Sequence, residues 1–220
     1  MLRRLIAKLL HRKPAPGSLI HEKWENGFRA GKNRRIEEAE EEHFSARSER
    51  GAFLLELRRK HLFAWALNES YRYRNFAVDM EIEIDAENGH SSAGAVFRYV
   101  NEENYYYALV SNSGRFRLDV VFNGNPMTLI PWLEIPLEEE RFTLRIIAHN
   151  NNLSFYLDQE WIAEIDDETV DSGYLGFAMQ NYGEQDEARA RLNRIALDSR
   201  PVEVEVYYYR WTRFIRPIPE

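Results

Sequence analysis

At 220 residues the chain has room for one β domain of ordinary size, and two full-sized domains would be crowded. It has no cysteine, which excludes a disulfide framework, a thiolate metal site and a cysteine nucleophile. The net charge of −7 argues against a nucleic-acid module, because affinity for phosphates comes from clustered Lys and Arg. No apolar run reaches the ~20 residues that span a bilayer. No continuous apolar core of a secretory signal follows Met1, so we expect a cytoplasmic protein.

Residues 1–13 predict a basic amphipathic helix, and the Pro-Ala-Pro-Gly run at 14–17 ends it and acts as a linker. The helix carries five Lys or Arg and no acid. It could contact a membrane surface or a partner, or it could lie against the β domain. The membrane is the less favoured alternative, because stable anchoring needs more apolar area or a second anchor. The apolar face of this amphipathic helix consists of Leu2, Leu5, Ile6, Leu9 and Leu10.

Residues 18–42 predict a charged connector. Asn33 is placed to cap a short helix over residues 34–42, whose early acids suit the positive end of the helix dipole. Five of the six residues 37–42 are Glu. No fixed geometry gathers these side chains, so a solvated helix face is favoured over a metal site.

Residues 43–200 predict an all-β domain of about a dozen antiparallel strands. Residues 93–121 read as three strands joined by turns at 101–104 and 112–114, with β-branched and aromatic residues filling the strands. Residues 75–85 alternate strictly, with acids on one face and apolar residues on the other, which predicts one face on a core. The apolar face consists of Phe76, Val78, Met80, Ile82 and Ile84. Further strands are predicted at 51–57, 61–67, 141–149, 151–158, 160–166, 173–181 and 188–198. Short strands at this spacing indicate two packed sheets in a jelly-roll sandwich.

Four blocks of this region resemble the concanavalin A-like or laminin G-like jelly-roll superfamily. They are most similar to its bacterial branch, which includes the sugar-hydrolase-like domains called domain of unknown function 1080. The blocks are residues 76–82, 93–99 with 104–106, 152–158 with 161–166, and 173–177. The resemblance implies the fold over roughly residues 43–200, and a link to carbohydrates. Each block is mainly structural, so no activity follows from it.

Residues 201–220 predict a C-terminal strand and tail. Residues 201–209 alternate as one more strand, and the Tyr-Tyr-Arg-Trp-Thr-Arg run at 208–213 resembles sequences that lead into helical tetratricopeptide arrays in some bacterial proteins. We therefore expect this chain to be the front part of a longer protein with a further domain.

Glu83, Asp85 and Glu87 resemble the E-x-D-x-E signature of the glycoside hydrolase family 16 glucanases. In that family the first Glu is the nucleophile and the last is the acid/base. Ala86 replaces the usual bulkier apolar residue, and Asn88-Gly89 ends the strand directly after Glu87. The residues therefore favour a solvated face, and catalysis by these carboxylates is the alternative.

A ligand-binding face is predicted from one cation, several rings and an acid row. Arg98 could pair with Asp79, Glu81 or Glu83 across strands, or it could bind a sugar hydroxyl or carboxylate. Sheet aromatics could stack on sugar rings, although they are more often core residues. The predicted ligand-binding residues are Arg98, Tyr105, Tyr107, Glu81, Glu83 and Trp132, with Trp65 and Trp161 as further stacking candidates.

We predict no bound metal or cofactor. The six His residues have no metal-ligand spacing. Calcium is the alternative, because Asp166, Asp167, Glu168 and Asp171 could supply oxygens, but a polar hairpin turn is favoured. The sequence therefore predicts a non-catalytic binding module for carbohydrate or a protein partner, with a glycoside hydrolase as the alternative.

Overall fold

The computed structural model describes residue 15 and residues 17–28, 35–85 and 90–200. The predicted helix at 1–13, Glu87 and the predicted strand at 201–209 lie outside the described residues. The described part of the chain contains fifteen strands and no helix, and so none that could cross a membrane.

The strands are β1 Lys23–Asn26, β2 Ala39–Glu40, β3 Phe44–Glu49, β4 Ala52–Leu57, β5 Phe63–Tyr73, β6 Phe76–Ile84, β7 Ser91–Asn101, β8 Asn104–Ser111, β9 Arg115–Phe122, β10 Asn125–Glu134, β11 Arg141–His149, β12 Asn152–Leu157, β13 Glu160–Asp166, β14 Gly173–Asn181 and β15 Ala188–Asp198. They form two antiparallel sheets, which confirms the predicted all-β, two-sheet fold. The nine-stranded sheet has the order β13-β12-β11-β6-β15-β4-β3-β2, with β1 also paired to β15. The six-stranded sheet has the order β10-β9-β8-β7-β14-β5.

The core lies between the inner faces of the two sheets, and β6 shows how the sequence fills it. Its five apolar side chains are all buried, at most 4 % exposed, which confirms the predicted register. They pack in one cluster with Phe97 and Tyr106 of the six-stranded sheet. A shift of one residue would bury acids instead, so the alternation of β6 fixes its register.

The outer face of the nine-stranded sheet is covered by ion pairs between neighbouring strands. The alternate positions of β6 carry acids, and β11 and β15 place arginines beside them. The pairs are Arg145–Asp79 at 3.3 Å, Arg141–Glu81, and Arg191–Glu83 at 3.2 Å. On β4, Glu56 accepts hydrogen bonds from Arg47 and Arg189, which hold the pKa of this half-buried carboxyl below its usual value against the opposing effect of burial.

Three parts of the sandwich differ from the predictions. Residues 35–42 contain β2 rather than a helix, because the N–H of Glu37 donates to the carbonyl of Leu67 and Ile36 is buried in the core. These tertiary contacts outweigh a weak local helix preference. β1 pairs with β15, so part of the predicted connector belongs to the nine-stranded sheet. β10 was not predicted as a strand, and it is an edge strand that carries Pro126 and Pro131.

Arg98 ties three loops together at one end of the sandwich. Its guanidinium donates to the carbonyls of Val170 at 3.0 Å, Arg74 at 3.2 Å and Asn150 at 2.6 Å. The residue is 1 % exposed, and burial lowers the pKa of its guanidinium. Next to it, the Tyr106 hydroxyl donates to Asp167 and accepts from the N–H of Val170. The β13–β14 loop is therefore fastened to the six-stranded sheet from two sides.

We expect Arg98→Ala to destabilise the fold by about 3 kcal/mol, because a charged donor is lost from one buried and two partly buried hydrogen bonds. Arg98→Lys should recover only part of this loss, since a single ammonium cannot reproduce the planar fork. Urea unfolding followed by circular dichroism measures the difference. The control is Arg50→Ala, whose side chain is 91 % exposed and whose effect should stay below about 0.5 kcal/mol. Equal stability of Arg98→Ala and Arg50→Ala would contradict this account.

Candidate ligand-binding face

The candidate site is the outer face of the six-stranded sheet, which points away from the core. On β8, Tyr106 faces the core, and Tyr105 and Tyr107 therefore point outward. Register extends the outward row across the sheet, with Val96 of β7 and Asp119 of β9 on either side of Tyr107. This side of the sheet carries its own hydrophobic cluster, separate from the core.

Five aromatic rings from three strands form a continuous patch on this face. We call it the aromatic patch, and it consists of Phe63, Trp65, Tyr99, Tyr105 and Tyr107. Trp65 lies centrally, with ring centroids 5.2 Å from Phe63, 5.9 Å from Tyr99 and 5.4 Å from Tyr105. The ring centroids of Phe63 and Tyr107 lie 4.9 Å apart, which connects Tyr107 to the other rings. These separations are those of favourable tilted ring pairs.

Small residues on the two central strands make room for these rings. β7 and β14 lie between β8 and β5, and their outward positions include Gly94, Gly176 and Ala178. A Cβ on Gly94 would lie 2.0 Å from the carbonyl oxygen of Ala108, so no larger residue fits there without a shift. Because these small residues leave space on the outer face of β7 and β14, Trp65 from one side and Tyr105 from the other can meet there. All the rings but Tyr105 remain partly exposed.

At the β5 side, the aromatic patch borders an acidic groove of about 400 Å³. Phe63, Trp65 and Tyr99 line it. Burial raises the pKa of the Tyr99 phenol, and the charges of Glu102 and Glu69 add to the effect. Tyr99 therefore stays neutral near pH 7 and can both donate and accept hydrogen bonds. The carboxylates that line the groove are Glu37, Glu38, Glu69 and Glu102.

At the β9–β10 side, Arg117, Asp119 and Trp132 form the opposite border. Arg117 binds Asp119 through two hydrogen bonds of 2.5 and 2.6 Å, and Thr128 donates to the same carboxylate at 2.7 Å. The guanidinium carbon of Arg117 lies 5.8 Å from the ring centroid of Trp132. Trp132 meets Tyr182 edge to face at 5.5 Å, and burial raises the pKa of Tyr182 to about 12. This border is therefore also aromatic, and its charged group at the surface is a cation.

The structure brings three of the predicted ligand-binding residues together on this face, namely Tyr105, Tyr107 and Trp132. It separates the other three from them. Arg98 is buried and both of its terminal nitrogens donate to loop carbonyls, so it does not belong to an exposed ligand surface. Glu81 and Glu83 lie on the outer face of the other sheet, so the predicted pairing of Arg98 with this acid row is also wrong.

The alternative catalytic residues also lie away from the aromatic patch. Glu83 is on β6 of the nine-stranded sheet, where it pairs with Arg191 and accepts a hydrogen bond of 3.4 Å from Asn193. Asp85 directly follows the same strand, and its N–H donates to the carbonyl of Arg189. Trp161 is 61 % exposed on β13, at the edge of that sheet.

The four acids considered for calcium are each bound to protein groups. Asp167 accepts from Tyr106, and Asp171 pairs with Arg74. Asp166 and Glu168 accept from the amides of Asn152 at 3.1 Å and Asn151 at 3.3 Å. Within the described ranges, no three His, Cys, Asp or Glu side chains gather in an arrangement that could hold a metal ion.

Sequence reasoning missed Phe63, Tyr99, Arg117 and Asp119 as members of the face. β5 and β7 are apolar on both sides, so period-2 alternation could not say which residues point outward. The available signal was three charged residues at alternate positions of an otherwise apolar strand, namely Arg115, Arg117 and Asp119. Charges at alternate positions mark an outward side.

No protein-family model matches the chain. A "TPR repeat-containing protein" of Treponema pallidum (strain Nichols) is 28% identical over an alignment 254 positions long. The alignment covers 90% of this chain and 31% of that protein. The chain thus spans about a third of the length of the curated relative that it matches.

Several solved structures share the fold. The carbohydrate binding module CBM66 from Bacillus subtilis superposes with a TM-score of 0.54 at 20% identity, covering 66% of this chain and 86% of that one. A β-glucanase from Bacillus licheniformis superposes with a TM-score of 0.61 at 10% identity, covering 81% of this chain and 98% of that one. A xylan β-1,4-xylosidase from Bacillus halodurans C-125 superposes with a TM-score of 0.58 at 19% identity, covering 86% of this chain and 40% of that one. At these identities the likeness shows a jelly-roll sandwich fold and nothing about activity.

Proposed function

We propose that this domain is a non-catalytic glycan-binding module of a longer protein, and that it binds its ligand on the outer face of the six-stranded sheet. The observation that carries the proposal is the aromatic patch, five contacting rings on one face with carboxylates at its border. A sugar ring offers an apolar face of C–H groups and an edge of hydroxyls. Aromatic rings pack against the first, and carboxylates and neutral phenols bind the second.

The names of the structural neighbours support a carbohydrate ligand, because a carbohydrate binding module and glycan-acting enzymes share this fold. The four sequence blocks that resemble domain of unknown function 1080 agree with such a role. A protein partner is the second candidate from the sequence, and it becomes an outcome of the binding screen below.

The geometry favours binding over hydrolysis. A retaining glycosidase needs two carboxyls about 5–5.5 Å apart, one of them free to act as an acid. Glu83 pairs with Arg191 on the sheet opposite the aromatic patch. Asp119, at the centre of the β9 side, accepts from both Arg117 and Thr128 and is fully buried. These two carboxylates are each paired with an arginine.

The relative's name supports the longer context. It describes a protein with tetratricopeptide repeats, of which this chain matches about a third. We therefore propose that the module delivers glycan recognition to a protein whose other parts include helical repeats.

We expect Trp65→Ala to weaken glycan binding about tenfold or more, because a stacking ring contributes about 1.5 kcal/mol. The measurement is a screen of immobilised polysaccharides followed by calorimetric titration of the ligands that bind. Trp161→Ala is the matched control, since it removes an exposed ring from the other sheet and should leave affinity unchanged. Equal affinities of the two variants would contradict the assignment of the face. Binding to proteins alone would favour the second candidate.

Glu83→Gln should leave glycan affinity within about twofold of the wild type, because this side chain lies on the opposite sheet. The same polysaccharides, incubated with wild-type protein and assayed for new reducing ends, should show no hydrolysis above a buffer blank. Hydrolysis by the wild type that disappears in both Glu83→Gln and Glu87→Gln would establish the enzyme instead.

A further inference from the structure

Arg115 differs from most arginines of this acidic protein in its surroundings. Across residues 35–85 and 90–200, nearly every arginine contacts a carboxylate or a carbonyl oxygen. Arg115 and the turn residue Arg59 make no such side-chain contact within these residues. Glu134 lies opposite Arg115 in the sheet register, yet the two form no ion pair. An arginine that keeps its charge uncompensated has its donors available for an external anion.

Arg115 also lies at a pocket, which Arg59 does not line. The pocket has a volume of about 250 Å³ and lies at the β9–β10 border of the outer face of the six-stranded sheet. Trp132 and Tyr182 line it together with Arg115, so the cation and two aromatic rings share the same space.

Arg117 supplies a further hydrogen-bond donor at this border. Its charge is balanced by Asp119, but its Nη1 group donates to no described residue. The opposite border of the face holds four glutamates. The ligand face therefore carries opposite charges at its two borders, with acids beside β5 and an uncompensated guanidinium beside β9.

We propose that this pocket binds an anionic substituent of the glycan, so that the ligand class is an acidic polysaccharide. The inference rests on the proposed function. The negative group lies at Arg115 with Trp132 and Tyr182 beside it, while the neutral part of the chain crosses the aromatic patch toward the β5 border. The glutamates of that border repel the reverse orientation, since like charges in one site disfavour binding.

The test compares paired oligosaccharides that differ only in charge. The pairs are oligogalacturonates with and without methyl esterification, sulfated and desulfated galactans, and phosphorylated and dephosphorylated mannans. Calorimetric titration of the wild type should show the charged member of at least one pair binding about tenfold more tightly, and 0.5 M NaCl should reduce that advantage. Arg115→Gln should bring the charged member down to the affinity of the neutral one. Arg50→Gln removes an exposed arginine from the other sheet and should keep the preference.

The outcomes separate this inference from the proposed function. If neutral members bind as tightly as charged ones, or if Arg115→Gln keeps the preference, the anion site is wrong while glycan binding stands. If no member of any pair and no polysaccharide of the screen above binds, the proposed function fails, and the inference fails with it. Whichever pair responds also identifies the anion as a carboxylate, sulfate or phosphate.

Discussion

The structure depends on one constraint, namely that two sheets share a single core and each strand can turn only alternate residues toward it. Burying a large apolar side chain contributes about 1.5–3 kcal/mol, whereas an exposed ion pair contributes about 0.2–1 kcal/mol. The core positions of strands such as β6 therefore set the register, and the charged partners follow. With the inner faces occupied, the sheet surfaces that remain for recognition are the two outer faces.

These two outer faces have opposite chemistry. On the nine-stranded sheet the outward acids of β6 meet arginines from β11 and β15, so that charge is neutralised within the surface. On the six-stranded sheet the outward residues of β5, β7 and β8 are apolar and aromatic, and they build a second cluster that the core does not need. A second apolar cluster, partly open to solvent, is typical of a surface that binds something. The small residues Gly94, Gly176 and Ala178 on β7 and β14 leave the space in which the aromatic rings meet.

Several elements were predictable from the sequence because their signal is local. The alternation of β6 gave its core face, and the boundaries of β11, β13, β14 and β15 agree with the predicted ones. Tyr105 and Tyr107, both predicted as ligand-binding residues, lie on one side of β8, opposite Tyr106. These predictions need only a period of two and the turn residues between strands.

Other features depended on which strands meet in space. The acid row and the tyrosines were expected on one surface, but β6 and β8 belong to different sheets. Arg98 was expected on the ligand-binding face or in an ion pair with the acid row of β6. A bulge with a φ of 48° at Arg98 interrupts the β7–β8 register and turns its side chain inward. β1 pairs with a strand some 170 residues away along the chain, as in Lys23 with Asp198, a contact without a local signature.

The central claim is that ligand binds the aromatic face and leaves the ion-paired face free. Amide and indole chemical shifts, followed by NMR while a bound glycan is titrated into isotope-labelled protein, test it most directly. The account predicts shifts at the Trp65 indole and along β5, β7 and β8, with β6, β11 and β15 unchanged. Shifts centred on Glu81, Glu83 and their arginine partners, with the Trp65 indole unmoved, would contradict it.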